Sequence, residues 1–263
     1  MNEENWVRSI GLDADGSLFV EIEKGIKLYD LCLNTFLPEK IEIHPKYLMT
    51  AQGRSLYYRF LTTLKEIEEI VYNHSYDRAY RFKKGGIVVD AGARIGTFAA
   101  KIAAAVGTEG KIVAIEPEPR NYGCLVKNIE ANRLYNVIPL RKMLWSRTLS
   151  MRLYLSSSPA AHSAYCDPFY GSTGEFIEVE AQALDEILEE LGIESVDFVK
   201  MDIEGSEIEA LRGMKKLLSS SVQLAIAAYH PVQGKFTYTE ISSLLEKHGF
   251  RTTYEQGIVR ASR

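Results

Sequence analysis

The segment Ile87-Val88-Val89-Asp90-Ala91-Gly92-Ala93-Arg94-Ile95-Gly96 carries the strongest fold signal in the chain. Its first three residues are β-branched and apolar, as in a strand that is buried on both faces. A helical pattern of apolar residues follows over about residues 95–106. The glycines between these two segments allow a sharp turn in which the backbone can approach a ligand closely. This order of strand, turn and helix predicts the first unit of an open α/β sheet.

The same alternation continues toward the carboxyl terminus. Further strands are predicted at residues 111–115, 137–140, 149–155, 176–179, 196–199 and 224–227, and a closing hairpin turns at Gln256-Gly257. Helical patterns lie between them, through Leu125 and Ile129 and over residues 184–191, 206–218 and 239–247. Strands that alternate with helices are typical of an α/β fold, in which a mostly parallel sheet carries helices on both faces.

The pattern changes at the turn Lys83-Lys84-Gly85-Gly86. We therefore expect a small amino-terminal accessory region, residues 1–80, before a main domain of residues 81–263. In the accessory region, Asp15-Gly16 suits a hairpin turn before a strand at residues 18–22, and a second apolar run covers residues 28–33. Apolar residues between Tyr57 and Val71 recur at spacings of three and four, which predicts a helix packed on the main domain.

Composition excludes several classes of protein. The 263 residues carry a formal net charge of -4, with 46% hydrophobic and 25% charged residues and no basic block, so nucleic acid is not an expected partner. No apolar stretch reaches the roughly 18 residues of a membrane span. The acidic start MNEENWVRSIG does not resemble a signal peptide, and we expect a cytoplasmic location. The cysteines, Cys32, Cys124 and Cys166, are far apart and are expected to be reduced packing residues.

Acidic residues follow three of the predicted strands, namely Asp90, Glu116 and Asp202. Ligands of open α/β sheets bind beyond the carboxyl ends of the strands, so these positions are candidates for a ligand site. Pro117 stops the strand before it from continuing. Asp202 and Glu204 would bring two carboxylates into the crevice, where a cationic or hydroxyl-bearing ligand would offset their desolvation. Helix capping is the alternative explanation for Glu204 and Glu207.

Two ligands are compatible with the glycine turn and Glu116. A dinucleotide-binding dehydrogenase has the spacing G-x-G-x-x-G and an acidic residue about 20 positions further on, which holds the ribose. The spacing Gly92-x-x-x-Gly96 after an aspartate differs from this and is typical of S-adenosylmethionine sites. Glu116 would accept hydrogen bonds from the ribose hydroxyls of either ligand.

The motifs resemble the FkbM family of S-adenosylmethionine-dependent methyltransferases. The resemblance covers roughly residues 86–250 and rests on residues 89–96, the pair Glu116-Pro117, the segment Val199-Lys200-Met201-Asp202-Ile203-Glu204-Gly205-Ser206-Glu207, and Leu211-Arg212-Gly213. It implies a class I (Rossmann-like) methyltransferase sheet of seven strands whose final strand is antiparallel. It also implies S-adenosyl-L-methionine as cofactor and methylation of a hydroxyl oxygen on a small-molecule, glycan or lipid-like acceptor.

The resemblance also assigns residues to the cofactor. It places Asp90 and the glycine turn near the methionine portion, Glu116 at the ribose and Asp202 beside the transferring methyl group, while the general methyltransferase pattern places Trp145 and Ser146 near adenine. The predicted cofactor-binding residues are Asp90, Gly92, Ala93, Arg94, Gly96, Glu116, Pro117, Trp145, Ser146, Asp202 and Glu204. Two residues depart from the family pattern, since Arg94 replaces the usual Asn and Ala228 replaces a common Glu two residues before His230.

Methyl transfer from a sulfonium requires the protein mainly to orient the acceptor and to accept its proton. His230, Asp202 and Lys200 are the candidate catalytic residues. His230 is either the base or a structural residue of a Tyr-His-Pro turn, and Asp202 is either a base or a ligand of the cofactor's amino group. Lys200 lies two residues before Asp202 and shares its face of the strand, where it forms a salt bridge with that carboxylate or acts as a base.

The remaining features leave alternatives open. The segment 156–174 is either a lid over the acceptor or a surface loop. Its His162, Cys166 and Asp167 have no second ligand cluster of recognisable spacing, so no metal requirement is predicted. The accessory region either shapes the acceptor site or forms a homodimer. A nicotinamide-dependent oxidoreductase and a non-catalytic cofactor-binding protein are the alternative functions.

Overall fold

The computed structural model describes residues 7–13, 18–22, 25–30 and 51–263. The accessory region begins with an antiparallel sheet in the order β1-β2-β3, formed by β1 (Val7–Leu12), β2 (Leu18–Ile22) and β3 (Lys27–Tyr29). β1 pairs with β2 as a hairpin. The predicted turn at Asp15-Gly16, the end of the apolar run at residues 31–33 and Cys32 lie outside the described residues.

A long helix follows, α1 (Ala51–Ile67), which continues into a π-helical turn at Glu68–Tyr72. Ile67 and Ile70 are buried, whereas Leu61 is 40% exposed, so the predicted apolar face is only partly used. Accessory and main-domain side chains share one apolar cluster, formed by Val20, Ile22, Leu28, Ile67, Ile95, Ala100 and Cys124. The accessory region therefore packs directly on the main domain.

The main domain is built on a seven-stranded sheet. Its strands are β4 (Ile87–Ala91), β5 (Lys111–Ile115), β6 (Val137–Leu140), β10 (Phe198–Met201), β11 (Gln223–Ala227), β14 (Arg251–Glu255) and β15 (Ile258–Ser262). They lie in the order β14-β15-β11-β10-β4-β5-β6. The neighbours from β11 to β6 pair in parallel, and β15 pairs antiparallel with both β11 and β14. The predicted α/β class, the mostly parallel sheet and the antiparallel final strand are confirmed.

Helices cover both faces of this sheet. They are α2 (Thr97–Val106), α3 (Pro119–Ala131), α4 (Leu184–Glu190), α5 (Glu207–Arg212) and α6 (Tyr238–Lys247). Successive residues of β4 point to opposite faces, so Val88 packs in the cluster with Phe98 of α2, and Val89 packs in the cluster with Ile241 of α6. No helix in the described part of the chain is long and apolar enough to cross a membrane.

A second, smaller sheet lies between β6 and α4 in the chain. It consists of β7 (Met143–Leu144), β8 (Leu149–Ser156) and β9 (Ser172–Gln182), in the order β7-β9-β8. The segments 149–155 and 176–179 therefore form strands as predicted, but they pair with each other outside the main sheet. A short hairpin of β12 (Pro231–Val232) and β13 (Lys235–Phe236) follows β11.

Two sequence-based expectations are wrong in detail. The predicted helix at residues 206–218 ends at Arg212, and a separate 3-10 turn covers Leu217–Ser219. Residue 213 comes so close to β7 that a Cβ there would lie 2.4 Å from the carbonyl oxygen of Trp145, and the chain turns at this contact. Cys124 is buried as expected, but Cys166 is exposed and is not a packing residue.

Gly92 permits the closest contact between the ends of β4 and β10. It has a φ of 75°, and a Cβ at this position would lie 1.7 Å from the carbonyl oxygen of Asp202. We predict that Gly92→Ala lowers the free energy of unfolding by at least about 2 kcal/mol, because a strained backbone and a steric clash add together. Urea denaturation followed by circular dichroism measures this change.

Gly123 provides the matched control for this experiment. It lies inside α3, and a Cβ there would meet nothing within 4 Å. Gly123→Ala should raise the free energy of unfolding by about 0.5–1 kcal/mol, since alanine has the higher helix propensity. Equal stability of the two variants would contradict the role given to Gly92.

Candidate active site

A cavity of about 370 Å³ lies beyond the carboxyl ends of the central strands. Residues directly after β4, β5, β10 and β11 line it, namely Gly92, Glu116, Asp202 and Tyr229. The accessory helix and the segment 158–170 form further walls, including Glu66, Glu69, His162 and Tyr170. The cavity occupies the edge at which open α/β sheets bind ligands.

Glu116 is held at the end of β5 by backbone donors. The N–H of Arg94 donates to its Oε2 at 3.0 Å, and the N–H of Glu118 donates to its Oε1 at 2.9 Å. The side chain is only 6% exposed, and this burial raises the pKa of Glu116 to about 7 although the two backbone hydrogen bonds lower it. Each carboxylate oxygen retains acceptor capacity for a ligand hydroxyl.

Asp90 and Lys200 form a buried ion pair below the glycine turn. Lys200 Nζ lies 3.1 Å from Asp90 Oδ1 and donates to the carbonyl oxygen of Gly92 at 2.7 Å. Burial lowers the pKa of Lys200, but Asp90 and Asp202 outweigh this effect, and the pKa is raised overall. A lysine that stays protonated cannot accept a proton, which favours a structural role for Lys200. The predicted partner of its salt bridge is wrong, however, since Lys200 pairs with Asp90 and not with Asp202.

Arg94, which replaces the family's Asn, connects the turn to the accessory region. Its guanidinium forms ion pairs with Asp30, at 3.0 Å, and with Glu66, and it donates to Thr63 Oγ1 at 3.2 Å. All of these partners lie in the accessory region, and both ion pairs are largely buried. The guanidinium of Arg94 therefore attaches the accessory region to the glycine turn.

Four residues form what we call the carboxylate–histidine cluster, Asp202, Glu204, Glu207 and His230. The imidazole of His230 is 2% exposed, with Nδ1 3.0 Å from Glu207 Oε1 and Nε2 3.2 Å from Glu204 Oε2 and 3.6 Å from Asp202 Oδ1. The N–H of Ile203 also donates to Glu207 Oε1, at 3.1 Å. The cluster thus joins the ends of β10 and β11.

The cluster shifts the proton affinities of its members. Burial lowers the pKa of His230, but Glu207 and Glu204 outweigh it and raise the pKa well above the ordinary range. Burial raises the pKa of Glu204 to about 7, although His230 lowers it. Groups with pKa values moved toward neutrality in a cavity are typical of active sites.

Sequence reasoning missed two residues of this region. For Glu207 the sequence predicts only a possible helix cap, although its position in the acidic motif is a signal for the site. Tyr76 had no sequence signal, yet its hydroxyl donates to Asp202 Oδ2 at 2.7 Å. Together these residues orient the imidazole of His230 and the carboxylate of Asp202.

The structure distributes the predicted cofactor residues unevenly. Those that line the cavity are Gly92, Ala93, Arg94, Glu116, Pro117, Asp202 and Glu204, together with the catalytic candidates Lys200 and His230. Asp90 lies beneath the turn, and Gly96, with a φ of 86°, precedes α2. Both support the turn from outside the cavity lining.

Trp145 and Ser146, which are expected near adenine, are not among the residues that line the cavity. Ser146 Oγ donates to Glu209 Oε2 of α5 at 2.9 Å, and the Trp145 carbonyl faces Gly213, the residue that follows α5. Met143 and Leu144, two residues earlier, line the cavity and supply an apolar wall. Ala228, the second departure from the family pattern, is fully buried in the core and offers no polar group to the site.

The segment 156–174 is attached to the site. Ser163 Oγ donates to the carbonyl oxygen of Glu204 at 2.7 Å, and the Tyr170 hydroxyl donates to that of Pro231 at 3.0 Å. Several of its residues line the cavity, among them Ser158, His162 and Phe169. The segment therefore forms part of the cavity wall.

A sequence model of the family described as "Methyltransferase FkbM domain" matches residues 90–252. The chain belongs to the FkbM methyltransferase family. Methyltransferase sdnD of Sordaria araneosa is 28% identical over 218 residues, which cover 72% of this chain and 82% of that protein. Hexuronic acid methyltransferase AglP of Haloferax volcanii is 31% identical over 144 residues, 55% of this chain and 56% of that protein.

Two further comparisons agree with this assignment. The 31-O-demethyl-FK506 methyltransferase FkbM of Streptomyces tacrolimicus is 33% identical over 84 residues, which cover 32% of each protein. The crystal structure of methyltransferase FkbM from Methylobacillus flagellatus KT has a TM-score of 0.50 at 20% identity and covers 74% of this chain, and this chain spans 47% of that one. This likeness concerns the fold alone.

Replacement of Arg94 by the family's usual residue tests its attachment role. Asn tolerates the φ of 47° at this position, so a loss of stability would come from the broken ion pairs rather than from the backbone. We expect Arg94→Asn to lower the free energy of unfolding by about 2–4 kcal/mol, because Glu66 loses this ion pair while Asp30 keeps Arg59 at 3.0 Å.

Arg212→Asn is the control, since Arg212 is 51% exposed in its ion pairs with Glu209 and Glu240. This change should alter the free energy of unfolding by no more than about 1 kcal/mol. Urea denaturation of both variants measures the difference, and an unaltered midpoint for Arg94→Asn would refute the attachment role.

Proposed function

We propose that this FkbM-family methyltransferase transfers a methyl group from S-adenosylmethionine to a hydroxyl oxygen of a small-molecule, glycan or lipid-like acceptor. Family membership gives methyltransferase as the class of activity. One observation carries the finer proposal: a single cavity is lined both by Glu116, a carboxylate suited to ribose hydroxyls, and by Asp202, Glu204 and His230 of the carboxylate–histidine cluster, which can receive a hydroxyl proton.

The cavity lining fits the cofactor. Glu116 would hold the ribose hydroxyls, and the apolar side chains of Met143 and Leu144 suit an adenine ring. The turn Gly92-Ala93 leaves backbone groups free of bulky side chains beside the methionine portion. When bound, S-adenosylmethionine supplies a methyl group on a cationic sulfonium, and Asp202 offers a carboxylate to that positive charge.

The cluster is the proposed receiver of the acceptor's proton. Oδ1 of Asp202 is buried and has no hydrogen-bond partner among the described residues, while Tyr76 holds Oδ2. His230 Nε2 lies 3.6 Å from this oxygen, so one acceptor hydroxyl can approach both groups. We assign proton acceptance to Asp202, because the raised pKa of His230 keeps its imidazole protonated. We assign to Lys200 the positioning of the glycine turn.

Named relatives support a hydroxyl-bearing acceptor. One is a hexuronic acid methyltransferase, and another is a 31-O-demethyl-FK506 methyltransferase. Both names describe acceptors rich in oxygen, and the proposed acceptor class includes sugars and oxygenated small molecules. The lid segment with Phe169 and Tyr170 would cover such an acceptor and exclude water.

The proposed role of Glu116 gives cofactor binding a specific pH dependence. Since the pKa of Glu116 is about 7, the carboxyl is protonated below that pH and accepts hydrogen bonds from the ribose less well. Affinity for S-adenosylmethionine should therefore rise as the pH increases from 6 to 8, roughly following the ionisation of one group near neutral pH. Isothermal titration calorimetry across this range measures the trend.

Glu116→Gln should weaken cofactor binding by about 10- to 100-fold at pH 8, because hydrogen bonds to a charged group contribute about 1.5–3 kcal/mol. The variant should also lose most of the increase between pH 6 and 8. An affinity that is the same in both proteins, or tight binding of NAD in place of S-adenosylmethionine, would argue against the proposed cofactor site.

Methyl transfer itself is tested with labelled S-adenosylmethionine, purified full-length protein and two acceptor sources, a panel of uronic acids and a fractionated cell extract. We expect label in a methoxy group, identified by NMR of the isolated product. Asp202→Asn should lower the rate by at least about 100-fold if Asp202 takes part in proton transfer or cofactor binding.

Glu209→Gln is the control for this assay, because Glu209 lies on α5 and contacts Ser146 and Arg212. Its rate should match that of the unaltered protein. A product methylated on nitrogen or carbon would contradict the proposed acceptor class, and cofactor binding without transfer to either acceptor source would favour the non-catalytic alternative.

A further inference from the structure

Three potential metal ligands converge at the wall of the cavity. Asp202, Glu204 and His230 are the only group of at least three His, Cys, Asp or Glu residues with ligand atoms this close, within 4.8 Å of one another, in the part of the chain that the structure describes. The distances from His230 Nε2, 3.2 Å to Glu204 Oε2 and 3.6 Å to Asp202 Oδ1, are close to the spacing of about 3.0–3.5 Å between neighbouring ligands of an ion bound at about 2.1 Å.

Two of these ligands are oriented through their other polar atoms. Glu207, which is fully buried, engages Nδ1 of His230, so Nε2 faces the two carboxylates. Tyr76 donates to Oδ2 of Asp202, and the buried Oδ1 on the His230 side has no hydrogen-bond partner among the described residues. Metal ligands usually have such second partners. A carboxylate bonded to the other nitrogen of a histidine fixes its tautomer, and a hydroxyl bonded to a carboxylate fixes the direction of its lone pairs.

The charges of the cluster also favour a bound cation. Its three carboxylates, from Asp202, Glu204 and Glu207, surround the one imidazole of His230. Lys200, which also lines the cavity, is already paired with Asp90 at 3.1 Å. Excess negative charge in a poorly solvated place is costly unless a positive ion compensates it.

We propose that Asp202, Glu204 and His230 bind one divalent transition-metal ion at the wall of the cavity. An imidazole with two carboxylates favours Mn²⁺, Fe²⁺ or Zn²⁺ over Mg²⁺, which prefers oxygen ligands alone. The three protein ligands leave coordination positions open toward the cavity. This inference rests on the proposed function and deepens it: an ion there would lower the pKa of an acceptor hydroxyl next to the cofactor, and the released proton would pass to water. In the ion-bound site this ionisation would replace proton acceptance by the side chains that serve as ligands.

Binding is tested directly with Mn²⁺ on the full-length protein after treatment with EDTA and removal of the chelator. Titration followed by electron paramagnetic resonance of free Mn²⁺ should give one site per chain, and Zn²⁺ should compete for it. Glu204→Gln removes a ligand and should weaken Mn²⁺ binding at least tenfold. Glu207→Gln leaves the three ligands in place but removes the carboxylate that orients His230 and adds negative charge to the cluster, and it should weaken Mn²⁺ binding about 10- to 100-fold.

Glu69→Gln is the matched control, because Glu69 lines the same cavity and carries the same charge but is not one of the three ligands. Its Mn²⁺ affinity should remain within about threefold of the unaltered protein, as expected for a charge that acts only at a distance. Circular dichroism confirms folding of each variant, and Asp202→Asn serves as the ligand variant if Glu204→Gln does not fold.

The outcomes separate this inference from the methyltransferase proposal. The metal site is overturned if the protein binds neither Mn²⁺ nor Zn²⁺, or if Glu204→Gln and Glu69→Gln lower the affinity for Mn²⁺ equally. His230 is then the centre of a salt-bridge cluster. If methyl transfer is also unchanged in the presence of EDTA, only the metal site is refuted, and the methyltransferase proposal is retained. Mn²⁺ binding that follows the predicted order of variants, in a protein that does not bind S-adenosylmethionine, supports the metal site and removes the proposed function.

Discussion

The ion pair between Lys200 and Asp90 is the interaction on which the site depends. Both side chains are buried, and Lys200 also binds the carbonyl oxygen of Gly92, so a single ammonium joins β10 to the turn that follows β4. Loss of either partner would leave an uncompensated charge at a cost of about 3–5 kcal/mol. The pair thereby holds Gly92 against the backbone of Asp202 and sets where the acidic ends of the strands face the cavity.

The second anchor is Glu116, which accepts backbone hydrogen bonds from Arg94 and Glu118. It fixes the end of β5 to the same turn. The carboxyl ends of the neighbouring strands β10, β4 and β5 are therefore held in fixed positions. This preorganisation has an electrostatic cost, visible in the raised pKa of Glu116. A ligand that donates hydrogen bonds to this carboxylate recovers part of that cost, which is the physical reason to associate it with ribose hydroxyls.

Much of this arrangement could be predicted from the sequence because its causes are local. Apolar β-branched runs identify buried strands, and the glycine turn and the acidic residues after β4, β5 and β10 identify the edge that binds ligands. Contacts between distant segments could not be predicted in this way. α5 ends at Arg212, and Gly213 then packs against the carbonyl oxygen of Trp145, a residue far away in the sequence. In the same region Met143 and Leu144, rather than Trp145 and Ser146, line the cavity. The convergence of Asp202 and His230 depends on two strands that pair side by side although 28 positions separate the residues.

The attachment through Arg94 affects how the chain reaches its native state during synthesis. Residues 27–30 leave the ribosome well before Arg94, and before Asn128, whose side chain binds the backbone of Tyr29 in both directions, at 2.7 and 3.0 Å. The first segment therefore cannot complete its native contacts until α3 has been made. The native contacts of Tyr29 therefore cannot be completed in order from the amino terminus, because they require residue 128 to have been synthesised.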